Sequence, residues 1–115
     1  MPDRAEPLDD LRRDYTPPLL AYLTNRDESG LRAAYELGRD AMRRGVSLLD
    51  FVRVHNLVLA DVLPTARTVP GACDLVQAAS VFLLDALSSF EMAQRGFMEI
   101  GVRAEPGTPR DSGDL

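Results

Sequence analysis

Between Ala72 and Phe90 the chain carries only two charges, Asp74 and Asp85, and apolar residues fall on nearly every side of a helical wheel. A helix patterned this way is buried on several sides rather than along one stripe. From Glu91 the pattern narrows. Glu91, Arg95, Glu99 and Arg103 recur every four residues as an acid-to-base ladder on a solvated face, and Phe90, Ala93, Phe97 and Ile100 form one apolar seam. The pattern predicts one helix over Ala72–Arg103, some 32 residues, which span about 48 Å at 1.5 Å per residue. A compact chain of this length has a radius of gyration near ~13 Å and is roughly 35 Å across. The distal turns must therefore project, fray or pack against something else, and a second chain is the expected neighbour.

Upstream, Leu8, Leu11, Tyr15, Leu19 and Tyr22 or Leu23 share one side of a first helical segment, Leu8 to about Thr24. Pro17 and Pro18 interrupt it. An interior proline removes a hydrogen bond and clashes with the preceding turn, at about 3 kcal/mol or more. Two short helices or a sharp kink are expected, with Thr16 as N-cap and Pro17 at the first helical position. Asn25 to Gly30 reads as a turn rich in capping residues. A second helix follows from about Glu28 to Arg44, its inner face being Leu31, Ala34, Tyr35, Gly38, Ala41 and Met42. Gly38 on that face lets another helix approach closely. The outer face is Arg32, Glu36, Arg39, Asp40 and Arg43, expected to be mostly paired at helical spacing, and Gly45 is the stop. Ser47 to Asp50 resembles a capping box and opens a third helix that runs to Leu63, before Pro64. It has two apolar seams, Leu49–Val52–Asn56–Leu59–Ala60–Leu63 and Leu48–Phe51–His55–Val58–Val62. Thr65 to Gly71 reads as a loop containing Pro70.

No run alternates apolar and polar residues with β-branched side chains, so the fold class is all-α: an antiparallel four-helix, bundle-like domain with a long C-terminal helix. Residues 1–7 and 104–115 are expected to be loose, flanking one helical domain over residues 8–103. The third and fourth helices ask for more burial than one small bundle supplies, and a homodimer meets that demand. Its expected interface is Leu49, Val52, Asn56 and Leu59 of the third helix with Leu75, Ala79, Phe82, Leu83 and Ala86 of the fourth.

The net charge of −5 argues against non-specific nucleic-acid binding, which needs a basic footprint. All 13 basic residues are arginine. The N-terminus lacks an apolar run after a basic segment, so no signal peptide is expected. Ala72–Phe90 has the length of a membrane span, but Asp74, Gln77, Ser80, Asp85, Ser88 and Ser89 recur through it. A cytoplasmic, membrane-free protein is expected. The single cysteine, Cys73, suits a small core residue near the helix start better than a nucleophile.

His55 is the only histidine, so Ser-His-Asp, Cys-His and multi-histidine metal sites all lack parts. No Gly-rich phosphate loop occurs, and Asp50, Asp61, Asp74 and Asp85 are scattered. No cofactor or metal is expected. A histidine within a helical bundle is also how phosphotransfer domains present their phosphoacceptor. Such a site wants an exposed ring with a cation nearby. Here Asn56 to Ala60 follow it, and a histidine that packs or hydrogen-bonds inside a helix interface is the favoured reading.

Ala34-Tyr35-Glu36-Leu37-Gly38-Arg39, a glycine before Val46-Ser47-Leu48-Leu49-Asp50, and a histidine in the next helix resemble the N-terminal domain of RsbU-type phosphatases. The run Phe82-Leu83-Leu84-Asp85-Ala86-Leu87-Ser88-Ser89-Phe90-Glu91-Met92-Ala93-Gln94-Arg95-Gly96-Phe97 is the more specific part of that resemblance. It looks like the segment joining that domain to its effector. The resemblance extends over roughly Leu8 to Ile100. It implies a homodimeric helical domain that is not an enzyme and that receives a switch kinase of the RsbT type in sigma-factor control. Ser89 stands where the pattern leads us to expect proline. No phosphatase sequence follows Arg103, so output is expected in trans or by titrating the partner.

The resulting expectation is a regulatory interaction module. A histidine phosphotransfer protein using His55 is the alternative, and a small-molecule-sensing bundle the third reading. The candidate partner-binding residues are Arg32, Glu36, Arg39 and Arg43, with Phe90, Arg95 and Phe97 at the far end of the fourth helix.

Overall fold

A computed structural model of the chain describes residues 5–104, with side chains described from Leu8 to Met98. Four helices make up the fold: α1 (Ala5–Asn25), α2 (Glu28–Arg43), α3 (Leu48–Val62) and α4 (Val69–Ala104). A 3₁₀ turn, Leu63–Thr65, follows α3, and there is no strand among the described residues. Of the stretches expected to be loose, residues 1–7 and 104–115, Ala5 to Pro7 and Ala104 are helical, and residues 1–4 and 105–115 lie outside the described residues.

The expected break at Pro17 and Pro18 does not occur. α1 is one continuous helix containing both prolines, and it begins at Ala5 rather than Leu8. Thr16 is not a cap. Its hydroxyl donates to the Arg12 carbonyl one turn back, at 2.6 Å. The two carbonyls that lose their amide donors belong to Arg13 and Asp14, both on exposed residues open to water. Continuity keeps Leu11, Tyr15, Leu19, Tyr22 and Leu23 on one buried face. Each such side chain contributes about 1.5–3 kcal/mol on full burial, and together they outweigh the proline penalty.

The other boundaries follow from local chemistry. Arg26 takes a left-handed backbone conformation, φ 54°, and turns the chain into α2, where the Asp27 carboxylate accepts the Gly30 amide at 3.1 Å. At the other end Gly45, φ 81°, closes a Schellman motif. Its amide donates to the Met42 carbonyl at 3.1 Å and the Val46 amide to that of Ala41 at 3.0 Å. The Ser47 hydroxyl caps α3 by accepting the Asp50 amide at 3.0 Å. α4 starts earlier than expected. The Thr68 hydroxyl accepts the Gly71 amide at 3.0 Å, so Pro70 lies in the first helical turn, where its missing donor is not needed.

Packing is most extensive between α2 and α4, and α1 touches all three other helices. Gly30, Ala34, Gly38 and Ala41 are the buried residues of α2. A Cβ built on Gly38 would fall on the Ala86 carbonyl oxygen and the Ser89 hydroxyl of α4. This stripe of small residues draws the two helices together. It also pushes Tyr35 to the edge of the contact, where the ring is exposed rather than in the core as expected. On the far side of the core Tyr15 meets Phe82 and Phe51 edge-on, with ring centroids 5.4 and 5.5 Å apart.

Of the two seams on α3, the one through Phe51, His55 and Val58, joined by Val54, is buried. On α4, Ala78, Ala79, Phe82, Ala86, Ser89 and Phe90 face inward. Cys73 lies on the opposite side of α4 and is exposed, not a core residue. The segment Val69–Met98 has the length and apolar composition of a membrane span, and its inner face is committed to the bundle core. At 36 residues α4 is about 54 Å long. The chain extends 64 Å along its longest axis and only 37 Å and 20 Å across it, and α2 ends at Arg43 while α4 continues to Ala104. The helix therefore outruns the bundle.

Candidate partner-docking surface

α2 presents its outer ridge opposite the small-residue stripe. Arg32, Glu36, Arg39 and Arg43 fall within one narrow arc of the helix and all four are exposed. The expected pairing along this ridge is absent. Among the described residues, neither Arg32 nor Glu36, Arg39 or Arg43 makes an ion pair, and Asp40 instead meets Arg44 at 3.3 Å. Arg44 also approaches Asp14 of α1 at 3.5 Å. Arg39 and Arg43 therefore make no ion pair among the described residues, although Asp14, Glu36 and Asp40 line the groove toward α1 beside them. The two arginines stand between two grooves, one toward α1 that includes Pro18 and Leu37, the other toward α4 that includes Met92 and Phe97.

The residues proposed at the far end of α4 separate. Phe90 is buried against Phe51, ring centroids 6.3 Å apart, and has no surface to offer. Arg95 is paired with Glu91 at 2.9 Å. Phe97 is 71% exposed. Glu99, Ile100 and Arg103 lie outside the described side chains.

The expected dimer set separates too. Ala79, Phe82 and Ala86 are fully buried inside the chain itself, so they belong to its own core and not to an interface. The reason is geometric: α4 is apolar nearly all round, and α2 with α1 takes that face. Leu49, 67% exposed, and Asn56 are open, while Val52, Leu59, Leu75 and Leu83 are half-buried. Val76 and Leu84 of α4, which the sequence did not single out, are exposed beside Leu83 on the helix surface.

His55 is 3% exposed. Its Nδ1 lies 2.7 Å from the Tyr15 hydroxyl, and the rings meet edge-on at 5.8 Å. Burial holds the imidazole below its usual pKa and pushes the Tyr15 phenol up. Both groups are thus neutral near pH 7, sharing one hydrogen bond in the core, and a response regulator has no path to the ring. An unfolded histidine gains its proton near pH 6.5, while the buried one stays neutral to lower pH. Stability should therefore be fully present above that pH and should fall as pH drops through it. Urea titrations between pH 7.5 and 5.5 should show this slope in wild type and its loss in His55→Gln. Equal slopes in both proteins would assign the effect elsewhere. No group of three or more metal-ligating side chains occurs among the described residues.

The fold defines the class first: an all-helical bundle whose last helix extends beyond its body. Over residues 13–93 the sequence matches the family described as phosphoserine phosphatase RsbU, N-terminal domain, and the chain belongs to that family. In that family the domain is the non-catalytic N-terminal part of a phosphatase, and membership suggests a regulatory domain of partner-switching systems. The match takes in α2, α3 and most of α1, and stops within α4 at Ala93. Comparison with curated proteins and comparison with solved structures each gave no match.

Proposed function

We propose that the protein is a non-enzymatic, cytoplasmic interaction module that forms a homodimer and receives a switch kinase of the RsbT type or a related regulator. The observation that carries this reading is the unpaired ridge of α2. Glu36 and Asp40 stand three residues before Arg39 and Arg43, yet neither arginine makes an ion pair among the described residues, in a chain of net charge −5. Guanidinium groups left free on a rigid helix are ready to meet carboxylates of a partner, and the domain need change little on binding.

Dimerisation is supported by what the bundle leaves uncovered. Leu49 and Val52 of α3, with Val76, Leu83 and Leu84 of α4, remain open or half-open, and apolar surface of this kind favours a symmetric second copy. Light scattering at micromolar concentration should give twice the chain mass. A clean species at 12.6 kDa would remove the dimer from the reading.

Affinity capture from the native cytoplasm is the direct test of function, and a kinase of the GHKL type is the expected partner. Arg39→Glu combined with Arg43→Glu should leave helical content and mass unchanged, because exposed charges shift stability within about ±0.5 kcal/mol. A truncated interface arginine costs about 2 kcal/mol or more, so partner affinity should drop at least about tenfold. Unchanged affinity in a folded double mutant would move the docking face off α2.

A further inference from the structure

Of the five glycines between Leu8 and Met98, four have a reason within the chain. Gly30 lies against Tyr22, Gly38 against Ala86, and Gly71 against the capping hydroxyl of Thr68. Gly45 needs its positive φ. Gly96 has none of these reasons. It sits in the interior of α4, its backbone is ordinary, and a Cβ built on it meets nothing within 4 Å. A glycine there weakens the helix relative to alanine. Its position therefore asks what lies outside the chain.

Gly96 forms part of the groove between α2 and α4. Ser89, Ala93 and Gly96 share one side of α4 at spacings of four and three, which makes the floor of the groove low. Met42 and Met92 line it, together with Phe97. Both methionines are pliable and suit an apolar partner surface of varied shape. Only two charged residues line the groove, Arg39 and Arg43, and both are without an ion partner among the described residues. α2 ends at Arg43 while α4 continues to Ala104, so the groove lies where α4 leaves the bundle.

We propose that this groove receives an acidic amphipathic helix from a partner protein, its backbone crossing α4 at Gly96. Apolar residues of that helix pack on Met42, Met92 and Phe97, and two carboxylates one turn apart meet Arg39 and Arg43. The spacing is complementary, because the two arginines are themselves four residues apart on one helix face. Charge complementarity selects an acidic occupant. Nucleic acid is a poor fit, since two cations beside apolar walls do not make a phosphate-tracking stripe. The proposal rests on reading α2 as part of the docking face and adds the kind of element that docks. Gly96 and Phe97 lie beyond the segment matched to the family.

The test uses the full chain and a designed peptide of about 18 residues, with leucines along one face and glutamates at i, i+4 beside them. A twin carries lysine in place of glutamate. Fluorescence anisotropy reads binding, and circular dichroism verifies the fold of each variant. Gly96→Trp fills the groove where the structure has open space, so it should fold as wild type does. The acidic peptide should bind wild type, and at least tenfold more weakly to Gly96→Trp and to Arg39→Glu with Arg43→Glu. The lysine twin should prefer that double mutant. No binding of the acidic peptide to wild type at millimolar concentration, or equal binding to Gly96→Trp, would overturn the proposal. So would a change in light-scattering mass on Gly96→Trp without peptide binding, which would make a second copy the occupant. A kinase captured equally by wild type and Gly96→Trp, but lost in the double arginine mutant, would retain the α2 docking face and remove the groove. Failure to capture any kinase would count against the function proposed above, while the peptide titration still decides the groove.

Discussion

Phe82→Asp should leave the chain largely unfolded at 25 °C. Phe82 has no exposed surface and lies between two aromatic rings, 5.4 Å from Tyr15 and 6.0 Å from Tyr22 between centroids. The substitution removes a packing contribution of about 3–5 kcal/mol and places an unpaired carboxylate in the same space. The pairs that bind α1 to its neighbours, Arg12–Asp61, Arg26–Asp74 and Arg44–Asp14, all lie at exposed residues and not beside Phe82. The combined loss is comparable with the whole stability of a typical domain, about 5–15 kcal/mol. Circular dichroism and a urea titration will show it. A cooperative transition near the wild-type midpoint would mean that the aromatic cluster does not hold the fold together.

Gly38→Ala should be the most damaging single methyl group in the molecule. The added carbon would coincide with backbone, the Ala86 carbonyl oxygen, and with the Ser89 hydroxyl that donates to the Tyr35 carbonyl. Backbone cannot swing aside as a long side chain does, so α2 and α4 must separate along their whole contact. Overpacking of this kind costs about 1–3 kcal/mol and at times more, and the gain in helix propensity, about 1 kcal/mol, offsets part of it. A net loss of up to about 2 kcal/mol is expected in chemical denaturation. Alanine at Gly96, on the same helical system with free space around it, should shift the midpoint the opposite way. If both substitutions stabilise, the close crossing of α2 and α4 is not what holds them.

The contrast between those glycines shows what a sequence displays and what it hides. The start and stop of α2 and α3 were legible, because Gly45 and Ser47 act within a few residues of themselves. Gly38 was also legible, as a gap on the inner side of an amphipathic helix. Pro17 and Pro18 misled, since the local penalty is visible in sequence and the five-residue buried face that overrides it is assembled only by tertiary packing. Ala79, Phe82 and Ala86 looked like interface because α4 is apolar nearly all round, and periodicity does not say which side its own chain will claim. The same ambiguity placed Phe90 outside and Cys73 inside. The free state of Arg39 and Arg43 was hidden for another reason. Helical spacing offered them Glu36 and Asp40, but Asp40 pairs with Arg44 and Glu36 makes no ion pair among the described residues.

The dominance of the α2–α4 contact has a kinetic consequence. Gly38 and Ala86 are 48 positions apart in the chain, and α3 must be traversed before they meet. Closing a loop of that length carries an entropic barrier of roughly 3 kcal/mol that short-range hairpins avoid. Folding should therefore be slower than in bundles stitched from sequential neighbours. A chain emerging residue by residue would hold α1 to α3 as an open tray, with Ala34, Gly38, Ala41, Phe51 and Val58 facing water, until α4 arrives to close it.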